Sequence, residues 1–406
     1  MIIETIAIGD ELLTGKIADT NSAFVADLLF RRQLRLNSIS VIPDTIPALH
    51  EKMRERGDVA DAVICFGGLG PTSDDKTAEA VASLVGGDVI VHEPSKAKML
   101  EFYKSRGRTV LPAALKQVHY PEKSEPLPNA KGMAPGFTVR FKKAQFFFLP
   151  GVPMEMKTMF EQEVLPRMKL GDAELFSHQW KCLGIWESEL QGKMDAVEKA
   201  LPAHAYLGYR TRFPENHLTL YWPPRADEKQ FQEWVVKIRE ILAPYTYTEK
   251  PEELEPLILD RLRAAGEKIA LAESCTGGLA AHRLTQVPGA SAHVWGGVTT
   301  YRLEAKLALL NVRVDTEEAA VSAECARDMA RAVARVSGCA IGAAITGFMG
   351  PTGGTDANPA GTVYLCVVGR GKTVEKRFLL STRDRAQTQW GAATYLLAAV
   401  LELLES

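Results

Sequence analysis

The stretch Ile269–Gly278 reads I-A-L-A-E-S-C-T-G-G: an apolar run stops at Glu273, and Ser274, Cys275, Thr276 and a glycine pair follow. A hydroxyl set between a strand and a helix can serve as a nucleophile where helix N–H groups receive an anion. The same residues also make an ordinary helix N-cap. A serine nucleophile needs a base to take its proton. Beyond residue 250 the histidines are His282 and His293, and neither lies near an acid in a way that suggests a triad. A lysine whose pKa is lowered by burial is the other usual base, with tyrosine as a relay. Tyr301 and Lys306 fall at a strand-to-helix junction where both can face one pocket. Ser–Tyr–Lys chemistry is therefore reasonable here, with Cys275 pointing into the core.

A second set lies near the N-terminus. Gly9-Asp10-Glu11-Leu12-Leu13-Thr14-Gly15 follows an opening apolar run, with Asp19-Thr20-Asn21 shortly after. Gly67-Gly68-Leu69-Gly70-Pro71-Thr72-Ser73-Asp74-Asp75-Lys76-Thr77 follows a fully apolar one. Glycines let the backbone approach a phosphate and turn its N–H groups toward it. Carboxylates cannot bind phosphate, but they can hold a divalent cation that bridges to it. The pair suggests a Mg²⁺-assisted site for a phosphorylated ligand; a tight turn followed by helix-start acids is the plainer alternative.

Such sites need elements to hold them. Residues 1–170 alternate strand and helix patterns: strands at 2–8, 36–42 and 62–66, helices at 21–33 and 47–56. That alternation implies a mainly parallel sheet covered by helices on both faces, with ligands bound beyond the C-terminal strand ends. Residues 171–250 read β-α-β-β-α, with Pro214 and Asn216 marking the turn of a hairpin. Residues 251–406 return to α/β: strands at 269–273, 294–301, 340–346 and 361–368, and a last helix from about Arg383-Asp384-Arg385. The 406 residues carry a net charge of −2, 46% hydrophobic and 24% charged residues. This is ordinary globular composition with no global field for nucleic acid or an anionic membrane. No apolar run suits a membrane span, and the N-terminus lacks the basic region of a signal peptide. The scattered cysteines fit reduced thiols, and the expectation is a cytoplasmic protein.

The N-terminal motifs, together with Leu149-Pro150-Gly151-Val152-Pro153-Met154-Glu155-Met156, resemble the N-terminal domain of the competence/damage-inducible CinA family. A-E-S-C-T-G-G, V-T-T-Y-R-x-E-A-K, A-V-S-A-E, T-G-x-x-G-P-x-G-G-T and P-A-G-T-V resemble its C-terminal domain, in the same order. The resemblance implies a molybdopterin-binding-like (MogA/MoeA) three-layer α/β domain over 1–170, a small KH-like α+β domain over 171–250, and a three-layer α/β amidase domain over 251–406. It implies an ADP-ribose pyrophosphatase at the N-terminal site, using Mg²⁺, Mn²⁺ or Co²⁺ and with K⁺ a further candidate. There Asp75 would be a metal or phosphate-proximal acid, Asp19 a second metal candidate, and Glu11 a general base or metal contact. Asn21, Gly67, Gly68, Gly70, Pro150 and Gly151 would shape the pocket. At the C-terminal site the resemblance implies a nicotinamide mononucleotide (NMN) amidohydrolase that needs no cofactor. Ser274 would be the nucleophile, activated by Lys306 and Tyr301, with Thr276 assisting and turn N–H groups as oxyanion donors. Thr346, Gly347, Gly353 and Gly354 would cradle the nucleotide, and Arg385 would pair its phosphate. Departures from the family pattern are Phe348 and Met349 in the glycine loop, Asn358 for a lysine, Arg383 in G-D-R, and Gln389 for a second arginine. The partners expected are the two nucleotides and a second copy of the chain. Rival readings are a non-hydrolytic pterin-nucleotide module at the N-terminus, or a competence and DNA-repair adaptor.

Overall fold

A computed structural model describes residues 1–168, 175–223, 227–380 and 384–406. The expected start of the last helix at Arg383 and the 170/171 boundary lie outside the described residues. The chain separates into two compact units, Met1–Leu175 and Phe176–Ser406.

In the first unit the strands are β1 (Ile3–Ile8), β2 (Leu36–Ile42), β3 (Ala62–Phe66), β4 (Val89–Val91), β5 (His119–Pro121), β6 (Glu125–Leu127), β7 (Gly136–Phe141) and β8 (Ala144–Leu149). The main sheet runs β2-β1-β3-β8-β7-β6, and β4 pairs with β5 separately. β1, β2, β3 and β8 are parallel, and β7 and β6 add antiparallel edges. β1 and β3 are buried along their whole length, which is why they read as unbroken apolar runs. Their alternate residues, with those of β8, feed two cores: Ile6, Val63, Cys65, Phe146 and Phe148 on one face, Ile3, Ile64, Phe66, Phe147 and Leu149 on the other. Helices Ile46–Gly57 and Thr77–Val85 cover the first face; Thr20–Arg31 and Pro153–Met159 cover the second. Three layers result, and the parallel strand ends at Gly9, Gly67 and Pro150 gather on one edge.

The second unit opens with β9 (Phe176–Cys182), β10 (Tyr206–Arg212), β11 (Glu215–Trp222) and β12 (Thr246–Thr248), an antiparallel sheet in the order β10-β11-β9-β12. Helices Glu187–Ala200 and Glu228–Leu242 pack on it through Leu190, Met194, Val235 and Ile238 against Trp180 and Trp222. The hairpin is tighter than its sequence suggests. Asn216 lies inside β11, where its side-chain amide donates to Ile185 O (2.7 Å) and its Oδ1 accepts from the Thr211 hydroxyl (2.7 Å). β12 is short and had no sequence signal. Lys181, 2% exposed, fastens the following segment by donating to Pro251 O (3.1 Å) and Glu252 O (2.6 Å).

The remaining strands are β13 (Ile269–Glu273), β14 (Val294–Thr299), β15 (Ile341–Gly347), β16 (Thr362–Gly369) and β17 (Lys372–Leu379), in the order β14-β13-β15-β16-β17. The first three strands of that order are parallel, and β16 and β17 are antiparallel. Helices Leu254–Ala265, Leu279–Thr285 and Arg385–Glu405 cover one face, and Ala323–Ser337 covers the other. β17 carries no strand pattern in the sequence because Lys372, Glu375, Lys376 and Arg377 make it a charged edge strand, which resists stray pairing. None of the helices among the described residues is long and apolar enough to cross a membrane. All the cysteines are free thiols.

Candidate functional site

The C-terminal constellation forms where β13 and β14 end side by side. Glu273 pairs in register with Thr299, and the Thr300 amide donates to Glu273 O (2.8 Å). Thr300 O and Ser274 thereby share one small space, and the helix Leu303–Leu310 turns Lys306 into it. Lys306 Nζ donates to Ser274 Oγ (3.0 Å) and to Thr300 O (2.8 Å). Lys306 is 1% exposed, and burial holds its pKa below the ordinary lysine value. A buried lysine that loses its proton reverses the first contact: the serine O–H then donates to the amine. Cys275 is buried beside them, and desolvation pushes its thiol up to about 12, so it stays protonated at neutral pH.

The other expected residues divide. The Thr276 hydroxyl donates to Glu273 Oε2 (2.6 Å), beneath the turn. Glu273, an acid in no recognisable catalytic pattern of the sequence, also takes the amides of Gly278 (3.2 Å), Ala280 (3.1 Å) and Ala281 (2.8 Å). Those N–H groups are therefore engaged inside the protein. The amides of Cys275 and Thr276 are not among the donors to Glu273, and the Cys275 amide lies against its own thiol. Tyr301 is 55% exposed, and its hydroxyl accepts from Arg385 Nη2 (3.0 Å) instead of meeting Ser274. Arg385 Nη1 donates to Gly350 O (3.1 Å), so this guanidinium straps Tyr301 to the glycine loop. Thr346 turns its hydroxyl away, donating to Ala320 O (2.6 Å). Gly347 packs on β16, where a Cβ would stand 2.5 Å from Thr362 O. Gly353 and Gly354 both hold φ of +90°, and only Gly353 faces open space. Of the departures, Met349 is core, and Asn358 fastens the loop through Val321 O (3.1 Å) and the Tyr364 hydroxyl (3.0 Å). Gln389 donates to Cys275 O (2.9 Å) and so braces the nucleophile turn. Arg383 lies outside the described residues.

The N-terminal residues converge. Glu11, Asp19, Asn21, Gly67, Gly68, Gly70, Asp75, Pro150 and Gly151 all line one cavity of about 720 Å³. Gly67 and Gly68 have φ of +106° and +68°, and added Cβ atoms would stand 2.3 Å from Ile8 O and 2.0 Å from Thr77 Oγ1. Asp19 caps its helix through one oxygen, accepting from Asn21 N (3.1 Å) and Ser22 N (2.9 Å), and Asn21 Nδ2 donates to Gly151 O (3.0 Å). Asp19 Oδ2 and Asn21 Oδ1 are buried with no partner among the described residues. Asp75 accepts from the Thr72 amide (2.8 Å) and hydroxyl, which fixes its carboxylate under Gly70. Asp44, Asp74 and Glu155 add further acids, and Lys131 is the single cation among the described lining residues. Burial raises the Asp44 pKa, and the charges of Asp10, Asp74 and Glu11 raise it further. Neither Asp44 nor Lys131 sits in a recognisable motif, so no sequence signal picks them out.

No three His, Cys, Asp or Glu side chains among the described residues converge as a ready-made metal cage. A Mg²⁺-type ion takes one or two carboxylates and completes its shell with water and substrate phosphate. Asp75 and Asp19, the latter with an orphaned oxygen in the wall, fit that mode.

Two α/β units, one with a glycine-and-acid cavity at parallel strand ends and one with a buried serine–lysine pair, define the class of protein. Comparison with known proteins agrees. The family model described as "Probable molybdopterin binding domain" matches residues 4–170, and the one described as "CinA C-terminal domain" matches 251–404. A CinA-like protein of Citrifermentans bemidjiense is 37% identical over 398 residues, covering 96% of this chain and 94% of its own. A CinA-like protein of Myxococcus xanthus is 37% identical over 414 residues, covering 98% and 97%. The competence damage-inducible protein A of Klebsiella pneumoniae, a solved structure, is 36% identical over 37% of this chain and 95% of its own, with a TM-score of 0.36. The chain belongs to the CinA family.

Proposed function

We propose that the C-terminal site deamidates nicotinamide mononucleotide to nicotinate mononucleotide and ammonia. The observation that carries this reading is the 3.0 Å contact between Lys306 Nζ and Ser274 Oγ in a buried space. Neutral Lys306 takes the Ser274 proton as Oγ bonds to the carboxamide carbon. The resulting oxyanion lies against the Cys275 and Thr276 amides. Lys306 then returns its proton to the departing nitrogen, the C–N bond breaks, and ammonia leaves. Water adds to the acyl-serine with the same lysine as base, freeing the acid and regenerating Ser274. Arg385, exposed and joined to Tyr301 and the glycine loop, keeps N–H donors for the substrate phosphate. The test is ammonia release from NMN, which Lys306→Ala must suppress.

For the N-terminal cavity the reading is hydrolysis of ADP-ribose to AMP and ribose 5-phosphate. It is supported by the convergence of glycine turns and acids on one space of about 720 Å³, within the range of small-molecule and cofactor pockets. Asp75 and Asp19 would hold a divalent cation, which when bound offsets the charge of the pyrophosphate. Gly67, Gly68 and Gly70 allow the backbone to approach that group, and Asn21 keeps the Gly151 wall in place. Glu11, exposed at the rim, would take a proton from attacking water. AMP formation with and without chelator tests the assignment.

A further inference from the structure

The helix Leu279–Thr285 follows the nucleophile turn directly, and its first amides would ordinarily be free to receive an anion. Here they are already occupied. Glu273, 1% exposed at the end of β13, places Oε1 on the Ala281 amide and Oε2 on the amides of Gly278 and Ala280 and the Thr276 hydroxyl. Four donors on one buried carboxylate leave neither oxygen bare and spread its charge over peptide dipoles. The groups that meet Lys306 Nζ are Ser274 Oγ and Thr300 O, so the acid makes no ion pair with the base. Because Glu273 immediately precedes the nucleophile, any movement of its carboxylate moves both Ser274 and the turn.

We infer that Glu273 is a positioning residue of this site: its carboxylate ties down the amides of Gly278, Ala280 and Ala281 and the hydroxyl of Thr276, and so presents the Cys275 and Thr276 amides as the oxyanion donors beside Ser274. Two consequences follow. The helix end is closed to the substrate's phosphate, which must lie on the Arg385 side. Thr276 contributes through its backbone N–H, with its hydroxyl serving the turn. The inference rests on the amidase reading of this site.

Glu273→Gln keeps the shape but turns one oxygen into an N–H donor facing other donors, which forces the turn to shift. Glu273→Asp keeps the charge and withdraws it by one methylene. The experiment measures, in the full chain, ammonia release from NMN and the rate at which a fluorophosphonate probe labels Ser274. In the labelling step Oγ bonds to phosphorus while fluoride and the serine proton leave, and the phosphoryl oxygen meets the same donors as the oxyanion. Both variants are expected to keep the wild-type far-ultraviolet dichroism. In both, kcat and labelling rate fall by about 100-fold while KM stays within about threefold, the pattern of a donor lost in the transition state. Thr276→Val, which removes one of the four donors but no amide, falls by less. A folded variant at Glu273 that deamidates and labels within threefold of wild type overturns the inference. Residue-resolved hydrogen exchange on the wild type supplies a readout that needs no variant: exchange is slower at Gly278, Ala280 and Ala281 than at Cys275 and Thr276, and the opposite order also overturns it. Wild-type protein that labels at Ser274 yet leaves NMN intact removes the amidase reading and leaves Glu273 judged by labelling and exchange. Wild-type protein that does neither overturns both.

Discussion

Replacing Lys306 by alanine removes the group that stands 3.0 Å from Ser274 Oγ and no other contact with the nucleophile side chain. A positioned general base contributes about 10²–10⁴ in rate, or about 3–5 kcal/mol of barrier. Lys306→Ala is therefore expected to lower ammonia release from NMN by about 10³-fold. KM should stay close to wild type, because Nζ contacts Ser274 and Thr300 O and lies away from the substrate's phosphate side. The pH dependence gives a second handle. Burial lowers the Lys306 pKa, so the wild-type rate should climb as the amine loses its proton, with a midpoint below the free lysine value of about 10.4. The alanine variant should lack that limb. The sign of the stability effect is fixed as well. Between the folded and unfolded pKa values the unfolded chain binds more protons, so stability rises with pH through that window. Below it the buried ammonium costs stability, and the uncharged Lys306→Met should gain on wild type as pH falls from about 10 toward neutrality. The assays are ammonia release across pH and thermal midpoints at matched pH. An alanine variant within tenfold of wild type, or a wild-type limb at the ordinary lysine value, would refute the base assignment.

At the N-terminal site, Asp75→Ala should abolish metal-dependent AMP formation from ADP-ribose and leave NMN deamidation unchanged; retained AMP formation argues against the metal assignment. Gly68→Ala meets both a φ of +68° and Thr77 Oγ1 at 2.0 Å, so the loop must move and AMP formation should fall at least tenfold with the C-terminal activity intact. Gly342→Ala would place a Cβ 2.2 Å from Ala330 O on the helix Ala323–Ser337, and overpacking of this kind costs about 1–3 kcal/mol. Its thermal midpoint should fall accordingly, and an unchanged midpoint would contradict the packing described.

Much of this arrangement was legible in the sequence because the strands are buried on both faces. Ile3–Ile8 and Ala62–Phe66 read as apolar runs for that reason, and glycine-rich turns mark where each sheet edge opens. Ser274 and Lys306 are far apart in the chain, yet the strand-to-helix turn and the parallel register of β13 with β14 bring them into contact. Tyr301 shows where spacing runs out. It stands before the helix Leu303–Leu310, which turns Lys306 inward while Tyr301 faces Arg385 on another helix. That outcome depends on long-range packing, as do the link from Gln389 to Cys275 and the crowding around Asp44. Glu273 left a trace, an acid closing an otherwise apolar strand, but its four donors are visible only in three dimensions. β17 and β12 left less, one because its charges mimic a loop and the other because it is short.

The most direct test of the central claim is product identification after incubating the purified full chain with nicotinamide mononucleotide, beside Ser274→Ala. The account predicts nicotinate mononucleotide and ammonia in equal amounts from the wild type, with the serine variant reduced by at least 10³-fold. Unchanged product formation by Ser274→Ala, or intact substrate after incubation with the wild type, would contradict it.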